Sequence, residues 1–557
     1  MISRDAALEA VQGESFDVVV VGGGITGAGV ALDAATRGYS VALLERGDYS
    51  QGTSSRSSKM IHGGLRYLRN FDLGLVREAL MERQLMVHLA PHLVYPTPYL
   101  VPALGEDRRD LRIGIGLNMY DVMATSRIGR GRSQRAEHGA EGEWWSPDRH
   151  RTISGEEAAE LCPALAPSDP SSAYLFYDCQ TDDSRLVLTI LGEAERFGAV
   201  LLNGAEVTEI LDEGGRASGV RFNEAESGES VEVRAANVVN ATGVWADTIR
   251  PDEILTEEEI PRIAPSRGAH ICLATDDLDV GDAAFLVPAG EERTVMVLPW
   301  YGRAMIGPTD KDYEGALDHV PPGEDHVAYL LEAVNEFLGL DLGPDRITGA
   351  FAGVRPLISS GDPKKSVDIS RKAELYETSS GMLTITGGKL TTWRRMAELT
   401  VDRIVDRDGR EAPCRTDDVP LGMPARDEDL ETEVALPDGA VEQLAFRYGH
   451  AARRVIELCE ERPELAEPIA PGMPDLLAEA VIAARHEQAR TLADVLLRRT
   501  RLGLVAASSL RDADRPRAVA EALAGELGWS KARVGAELES WGRVVAEEGL
   551  DPAAQLA

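Results

Sequence analysis

The feature that most constrains this chain is a glycine turn between a valine run and an alanine-rich stretch. Gly22-x-Gly24-x-x-Gly27 follows Phe16-Asp17-Val18-Val19-Val20-Val21 and leads into Ala28-Gly29-Val30-Ala31-Leu32-Asp33-Ala34-Ala35. Four consecutive valines suit a parallel strand buried on both faces, and the alanines suit a helix packed closely against it. A second apolar run, Tyr39 to Leu44, ends at Glu45, about twenty residues beyond the glycines, where a dinucleotide site places its acid. In that setting the glycines admit the backbone to a pyrophosphate, the helix N-terminus stabilises its charge, and Glu45 accepts hydrogen bonds from ribose hydroxyls. The expected fold class is α/β, beginning with a doubly wound dinucleotide-binding domain. This pattern alone does not separate FAD from NAD.

A chain of 557 residues exceeds what one hydrophobic core fills, so two or three domains are expected. Beyond the first motif lie a Ser/Gly/Arg-rich loop from Gln51 to Leu68 and a helical pattern through Leu75, Leu80 and Met86. The stretch from about Pro96 to Tyr177 reads as irregular. A helix from Ser184 to Phe197 and a strand from Ala199 to Asn203 then restore the α/β alternation. Short strands broken by Pro and Gly read as an antiparallel β-sheet substrate domain, mainly about 96–180 and 260–370. The dinucleotide-binding and substrate parts thus interleave over 1–415. Acidic, proline-rich residues near 406–436 look like a linker, and 416–557 reads as an all-helical C-terminal domain of three or four amphipathic segments.

No apolar stretch approaches the roughly 18–20 residues that span a bilayer, so any membrane contact is expected to be peripheral. The acidic start predicts no secretory signal and a cytoplasmic location. Five cysteines without Cys-x-x-Cys spacing argue against a metal site and against a disulfide framework. A net charge of -35, with 93 acidic residues, opposes nucleic-acid binding and attraction to anionic lipid. It favours a protein from a high-salt cytoplasm, where self-repulsion is screened, over an ordinary acidic surface.

Two later turns bear on the cofactor. Ala241-Thr242-Gly243 follows a strand and Gly387-Gly388-Lys389 opens a helix; a simple nicotinamide domain needs neither, whereas an extended FAD threads through such turns. The hydroxyls and small residues of the loop Thr53 to Leu68 suit a backbone running along a phosphate or flavin edge, and Arg66 can present a planar fork to a phosphate.

Ser57-Ser58-Lys59-Met60-Ile61-His62-Gly63-Gly64-Leu65-Arg66-Tyr67-Leu68, the segment Leu298 to Asp310, the turn Phe351 to Leu357 and the run Thr384 to Glu398 together resemble the FAD-dependent glycerol-3-phosphate dehydrogenases. This family belongs to the amino-acid-oxidase-like flavoproteins. The resemblance runs from about Phe16 to Ala397, with a looser match at His486 to Leu504. It implies FAD as cofactor, oxidation of glycerol 3-phosphate at C2 by hydride transfer to flavin N5, and a membrane quinone as electron acceptor. Peripheral attachment to the inner face of the cell membrane follows, with Leu73, Val76 and Leu80 as candidate apolar contacts, although a helix packed on the flavin domain explains their spacing equally well. The helical end reads as a packing and oligomerisation module, so a homodimer is among the expected partners.

Carried over position by position, the resemblance places Arg66, Tyr67, Lys389 and Thr391 around the substrate phosphate, Arg355 beside the reacting C2 oxygen and His270 near the same hydroxyl. The expected cofactor contacts are Gly22, Gly24, Ile25, Thr26, Gly27 and Glu45; then Thr53, Ser54, Ser55, Ser58, Lys59, His62, Gly63 and Gly64; then Ala241, Thr242 and Gly243; and finally Gly387, Gly388, Leu390 and Thr391. Arg56 is expected to add positive charge near the flavin phosphates. Hydride leaves an alcohol carbon only as its O–H proton is lost. A neutral histidine, His270, is therefore the expected proton acceptor, and a guanidinium, Arg355, too weak a base, the electrostatic stabiliser, with an exchange of the two roles as the alternative. A glycerol-3-phosphate oxidase that reduces O2 to H2O2 would carry the same motifs. A flavin amine or amino-acid oxidase would share the cofactor but recognise a carboxylate.

Overall fold

The computed structural model describes residues 3–64, 72–104, 111–125, 148–251, 259–290, 293–359 and 372–555. Two sheets and a helical domain make up the fold. The first sheet runs through Ala373–Glu377, Leu383–Gly387, Ser230–Asn240, Ser15–Val21, Val41–Leu44 and Val200–Leu202, with the hairpin Ala205–Asp212/Ala217–Glu224 attached to Ser230–Asn240. Ser15–Val21 lies in the middle, parallel to both neighbours, with Val18 opposite Val41 and Asn237. Its valines alternate between two cores as the pleat requires. Val18 and Val20 face a cluster shared with the helices Ile25–Thr36, Asp183–Arg196 and Trp393–Asp408, and Val19 and Val21 face one shared with the helix Arg4–Gly13 and the hairpin.

Among the described residues the second sheet has ten strands and is antiparallel except where Ala284–Pro288 meets Tyr95–Leu104 in parallel. The expected irregular stretch from 96 to 177 is therefore corrected. Tyr95–Leu104 and Pro170–Gln180 pair along nearly their whole lengths. Pro96, Pro98 and Pro102 disguise the first of these strands. Because they are an even number of residues apart, their missing N–H groups fall on the same edge, and the ladder on the other edge survives. The helix Glu324–Leu338 packs on one face of this sheet, and the other face merges with the C-terminal helices in one core that joins Tyr99, Phe176 and Phe351 to Leu444, Val481 and Leu504. The C-terminal region holds more helices than the three or four expected, among them Ala440–Tyr448, Ala452–Glu461, Leu477–His486, Asp514–Leu527 and Lys531–Glu547.

Candidate active site

Three glycine turns meet at the carboxyl ends of neighbouring parallel strands, the place where open α/β sheets hold ligands. Asn240 pairs with Val21 on one side and with Thr384 on the other, and the Thr386 hydroxyl donates to the Gly243 carbonyl at 3.2 Å. Gly22 has φ +110, and a Cβ there would sit 2.7 Å from the Ala241 carbonyl oxygen; a Cβ on Gly27 would land on the Gly22 carbonyl oxygen. Gly24 caps the helix Ile25–Thr36 without a side-chain bond, while the Ser54 hydroxyl accepts from the Ile25 N–H at 2.9 Å. Thr26 is half-buried in the first helical turn. Glu45 accepts from the Gly23 N–H at 2.7 Å and the Gly47 N–H at 2.9 Å. Burial raises its pKa, against those two hydrogen bonds. A turn packed so closely that only glycine fits at Gly22 and Gly27, a helix start with no capping side chain of its own and an acid held at the turn fit the pyrophosphate and ribose of FAD.

On the other side of these turns, the strands Ile263–Ala274 and Ile347–Ile358 pair His270 with Phe351, Gly268 with Gly353 and Ser266 with Arg355. Side chains two apart share a face, so His270 and Arg355 stand on one surface with two glycines between them. The serine loop lies on that surface. Thr53 donates to the Val354 carbonyl at 2.6 Å, and Ser58 Oγ is 3.0 Å from His270 Nε2. Phe351 stacks on the imidazole at 4.9 Å. Nδ1 of His270 is buried and has no hydrogen-bond partner among the described residues. Burial, with Lys59 and Arg355 adding to it, holds the His270 pKa well below 6.5. Arg355 donates from Nη1 to Asp310 Oδ1 at 3.1 Å and from Nη2 to the Thr309 carbonyl at 3.1 Å. Thr309 and Asp310 therefore brace the arginine from the neighbouring turn.

The remaining expected residues fall in several places. Thr391 Oγ1 accepts from the His62 N–H at 3.1 Å, so the two loops are joined where the expected phosphate contacts cluster. Lys389 and Leu390 are half-buried at the start of that turn, beside Gly387 and Gly388, both with positive φ. The Gly63 N–H donates to the Tyr120 hydroxyl at 2.8 Å, and Gly64 has φ +78. Arg66 and Tyr67 lie outside the described residues. The Lys59 ammonium is fully enclosed, 2.8 Å from Asp183 Oδ2 and from the Ser55 carbonyl, and burial followed by repulsion from Arg501 pushes its pKa down to about 7. Arg56 pairs with Glu548, so the extra positive charge expected from it is neutralised within the protein.

Sequence reasoning assigned no chemistry to the helical domain, yet its segment 487–501 enters the base of this site. Arg498 and Arg499 both bind Asp48, which follows the Glu45 turn. Gln488 accepts from the Tyr49 hydroxyl at 2.9 Å, and its carbonyl accepts from Asn203 Nδ2 at 2.8 Å. Arg501 reaches Asp183 at 2.7 Å. The available signal was Arg498-Arg499-Thr500-Arg501 inside an apolar segment. A regular helix would spread these arginines around its axis. Here a π-turn over Asp494–Arg499 and a left-handed Arg501, φ +69, turn all three inward.

Residues 17–394 match the family described as FAD dependent oxidoreductase, and residues 414–534 match the C-terminal domain of alpha-glycerophosphate oxidase. Glycerol-3-phosphate dehydrogenase 2 of Mycobacterium tuberculosis is 37% identical over 554 residues, covering 98% of this chain and 90% of that protein. A mitochondrial glycerol-3-phosphate dehydrogenase of Arabidopsis thaliana is 34% identical over 572 residues, covering 96% and 87%. Among solved structures, the glycerol-3-phosphate dehydrogenase from Bacillus halodurans complexed with FAD superposes with a TM-score of 0.77 at 26% identity, covering 98% of this chain and 97% of that one. Matched by the family model over residues 17–394 and by a 37% identical relative along nearly its whole length, the chain belongs to the FAD-dependent glycerol-3-phosphate dehydrogenase family.

Proposed function

We propose that the protein oxidises sn-glycerol 3-phosphate at C2 to dihydroxyacetone phosphate and passes the electrons to a membrane quinone. FAD supplies the hydride acceptor at N5. The observation that carries the reading is the pairing of His270 and Arg355 on one sheet surface. A histidine kept neutral by burial takes the O–H proton, and a guanidinium braced by Asp310 stabilises the negative charge developing on the C2 oxygen. In the tautomer whose Nε2–H donates to Ser58 Oγ, the buried Nδ1, without a partner among the described residues, is the acceptor atom. Lys389, Thr391 and Arg66 hold the phosphate, the locally basic group that a dianion needs on a chain of net charge -35.

Quinone as acceptor requires a membrane surface. Among the described residues no helix is long and apolar enough to cross a membrane. Val76 and Leu80, expected to be membrane contacts, are fully buried. Leu73, the third expected contact, is exposed on the helix Leu73–Leu89 together with Met81, and the neighbouring helix Leu111–Thr125 exposes Ile115 and Val122, each 63% accessible. We assign the peripheral contact with the inner face of the cell membrane to this pair of helices, through apolar insertion rather than a basic face.

The test is anaerobic mixing of the FAD-loaded protein with sn-glycerol 3-phosphate, followed by a quinone analogue or by air. Bleaching of oxidised flavin that quinone reverses quickly and air slowly supports the proposal. Fast reversal by air with peroxide formation makes the protein an oxidase, and no bleaching removes the substrate.

A further inference from the structure

Beside the Arg56–Glu548 pair, the helical domain touches the reaction surface through a buried chain of polar contacts. Arg501 Nη2 donates to Asp183 Oδ1 at 2.7 Å and to the Ser55 carbonyl at 2.9 Å. Asp183 Oδ2 accepts from the Ser57 N–H at 3.0 Å, the Ser57 hydroxyl at 2.7 Å and the Lys59 ammonium at 2.8 Å. Ser57 Oγ in turn accepts from the Lys59 N–H at 3.1 Å, and Lys59 is left-handed, with φ +60. Ser58, whose hydroxyl meets His270 Nε2, is the residue between these two anchored neighbours. A second route ends on the same imidazole, because the Lys59 ammonium lies 5.0 Å from the centroid of the Phe351 ring that stacks on His270.

We propose that Arg501, carried by the helical C-terminal domain, is a positioning residue for the reaction centre. Through Asp183 it fixes the Ser57–Lys59 turn and so holds the Ser58 hydroxyl on Nε2 of His270. This rests on the reading of His270 as the proton acceptor. Lys59, Asp183 and Arg501 are all fully buried, and a buried ion pair of this kind is weak evidence for stability in itself. What a guanidinium supplies here is two nitrogens at a fixed spacing, Nη2 meeting the Asp183 carboxylate and the Ser55 carbonyl while Nη1 holds its own domain, a set that an apolar residue does not offer and a single ammonium offers only in part. The other end of the guanidinium donates to the Leu497 carbonyl at 2.8 Å, which ties the fork to its own domain.

The test compares the FAD-loaded full chain with Arg501→Gln, Arg501→Lys, Ser57→Ala, Ser58→Ala and the double variant R501Q/S58A. Hydrogen exchange of the segment 53–63 is expected to rise in R501Q while 15–44 stays at the wild-type level. Flavin reduction at saturating sn-glycerol 3-phosphate is expected to fall about 10- to 100-fold, as a displaced catalytic group does, with R501K in between and FAD content unchanged. R501Q is expected to add little to S58A, since both act through one contact. Should R501Q not fold, S57A, which removes only a hydroxyl, decides by the same readings. Exchange rising uniformly, rates at the wild-type level in R501Q and S57A, or fully additive losses in the double variant would each overturn the proposal. If the wild type itself is not reduced by this substrate, the proposed function fails, while the exchange pattern still decides whether Arg501 orders the loop.

Discussion

Replacing Gly268 by alanine tests the role of Arg355 without touching that residue. Gly268 lies within its strand and has no left-handed φ, so alanine is not strained there. Its Cβ would stand 2.5 Å from Arg355 Nη2 and 3.0 Å from Cζ, against about 3.5–4.0 Å for a comfortable contact. The guanidinium must therefore withdraw by roughly 1 Å, loosening its bonds to Asp310 Oδ1 and the Thr309 carbonyl. Because the obstacle is the end of a flexible side chain, the sheet should fold as before. A misplacement of about 1 Å in a catalytic group costs on the order of 100-fold in rate, about 2.7 kcal/mol of transition-state stabilisation. Anaerobic stopped-flow reduction of the flavin at saturating sn-glycerol 3-phosphate measures it, with FAD content and thermal unfolding as controls. A limiting rate within about threefold of wild type, well short of the loss expected from such a misplacement, would refute the assignment of C2-oxygen stabilisation to Arg355. A rise in KM alone would mean that the new methyl group only crowds the substrate.

Three further outcomes are expected. Glu45→Ala leaves the Gly23 and Gly47 N–H groups without their acceptor; at about 1–3 kcal/mol for a buried donor left unmade, FAD binds roughly 10- to 100-fold more weakly in a fluorescence titration of apoprotein. Asp48→Asn removes the carboxylate shared by Arg498 and Arg499, which costs about 3–5 kcal/mol in denaturant unfolding. Burial opposes ionisation of Asp48, but Arg499 and Arg498 outweigh it and set the pKa below 3.8. The stability that Asp48 contributes is therefore present above 3.8 and lost as pH falls through the lower, folded value, and the variant should lack that acid loss. His270, with its folded pKa held below 6.5, resists protonation that the unfolded chain accepts; its contribution to stability declines as pH drops below 6.5. The acid limb of the flavin reduction rate should accordingly lie below that pH, and His270→Gln should abolish it.

What could be read from the sequence was local. The spacing Gly22-x-Gly24-x-x-Gly27 and the acid at Glu45 lie within one strand–turn–helix–strand unit, and every contact that makes the cradle joins residues near one another or at the ends of adjacent strands. The face of a helix is also local, but its neighbour is not. The pattern of Leu73, Val76 and Leu80 announces an apolar stripe, whereas the packing of Tyr120 and Ala124 against Val76 and Leu80 decides that these two are core and that Leu73 and Met81 are surface. The strand Tyr95–Leu104 was hidden for a different reason: its three prolines argue against a strand unless the partner on the intact edge is known.

The buried arginines carry this reasoning furthest. Asp48 meets Arg499 across 451 residues, and Asp183 meets Arg501 across 318, so neither end of either pair signals the other. Buried acidic and basic side chains nearly balance among the described residues, and the largest fully buried side chains include Arg83, Arg447, Arg499, Arg501 and Lys59. The surplus that gives the chain its charge of -35 is thus mostly outside. Salt screens exposed charges over about 8–10 Å at ordinary ionic strength but reaches buried pairs much less. Self-repulsion of the surface is therefore relieved by salt, while the arginine links between the helical domain and the base of the cofactor turn persist. A chain this acidic can keep its domains together in strong salt because the pairs that join them lie where the salt does not enter.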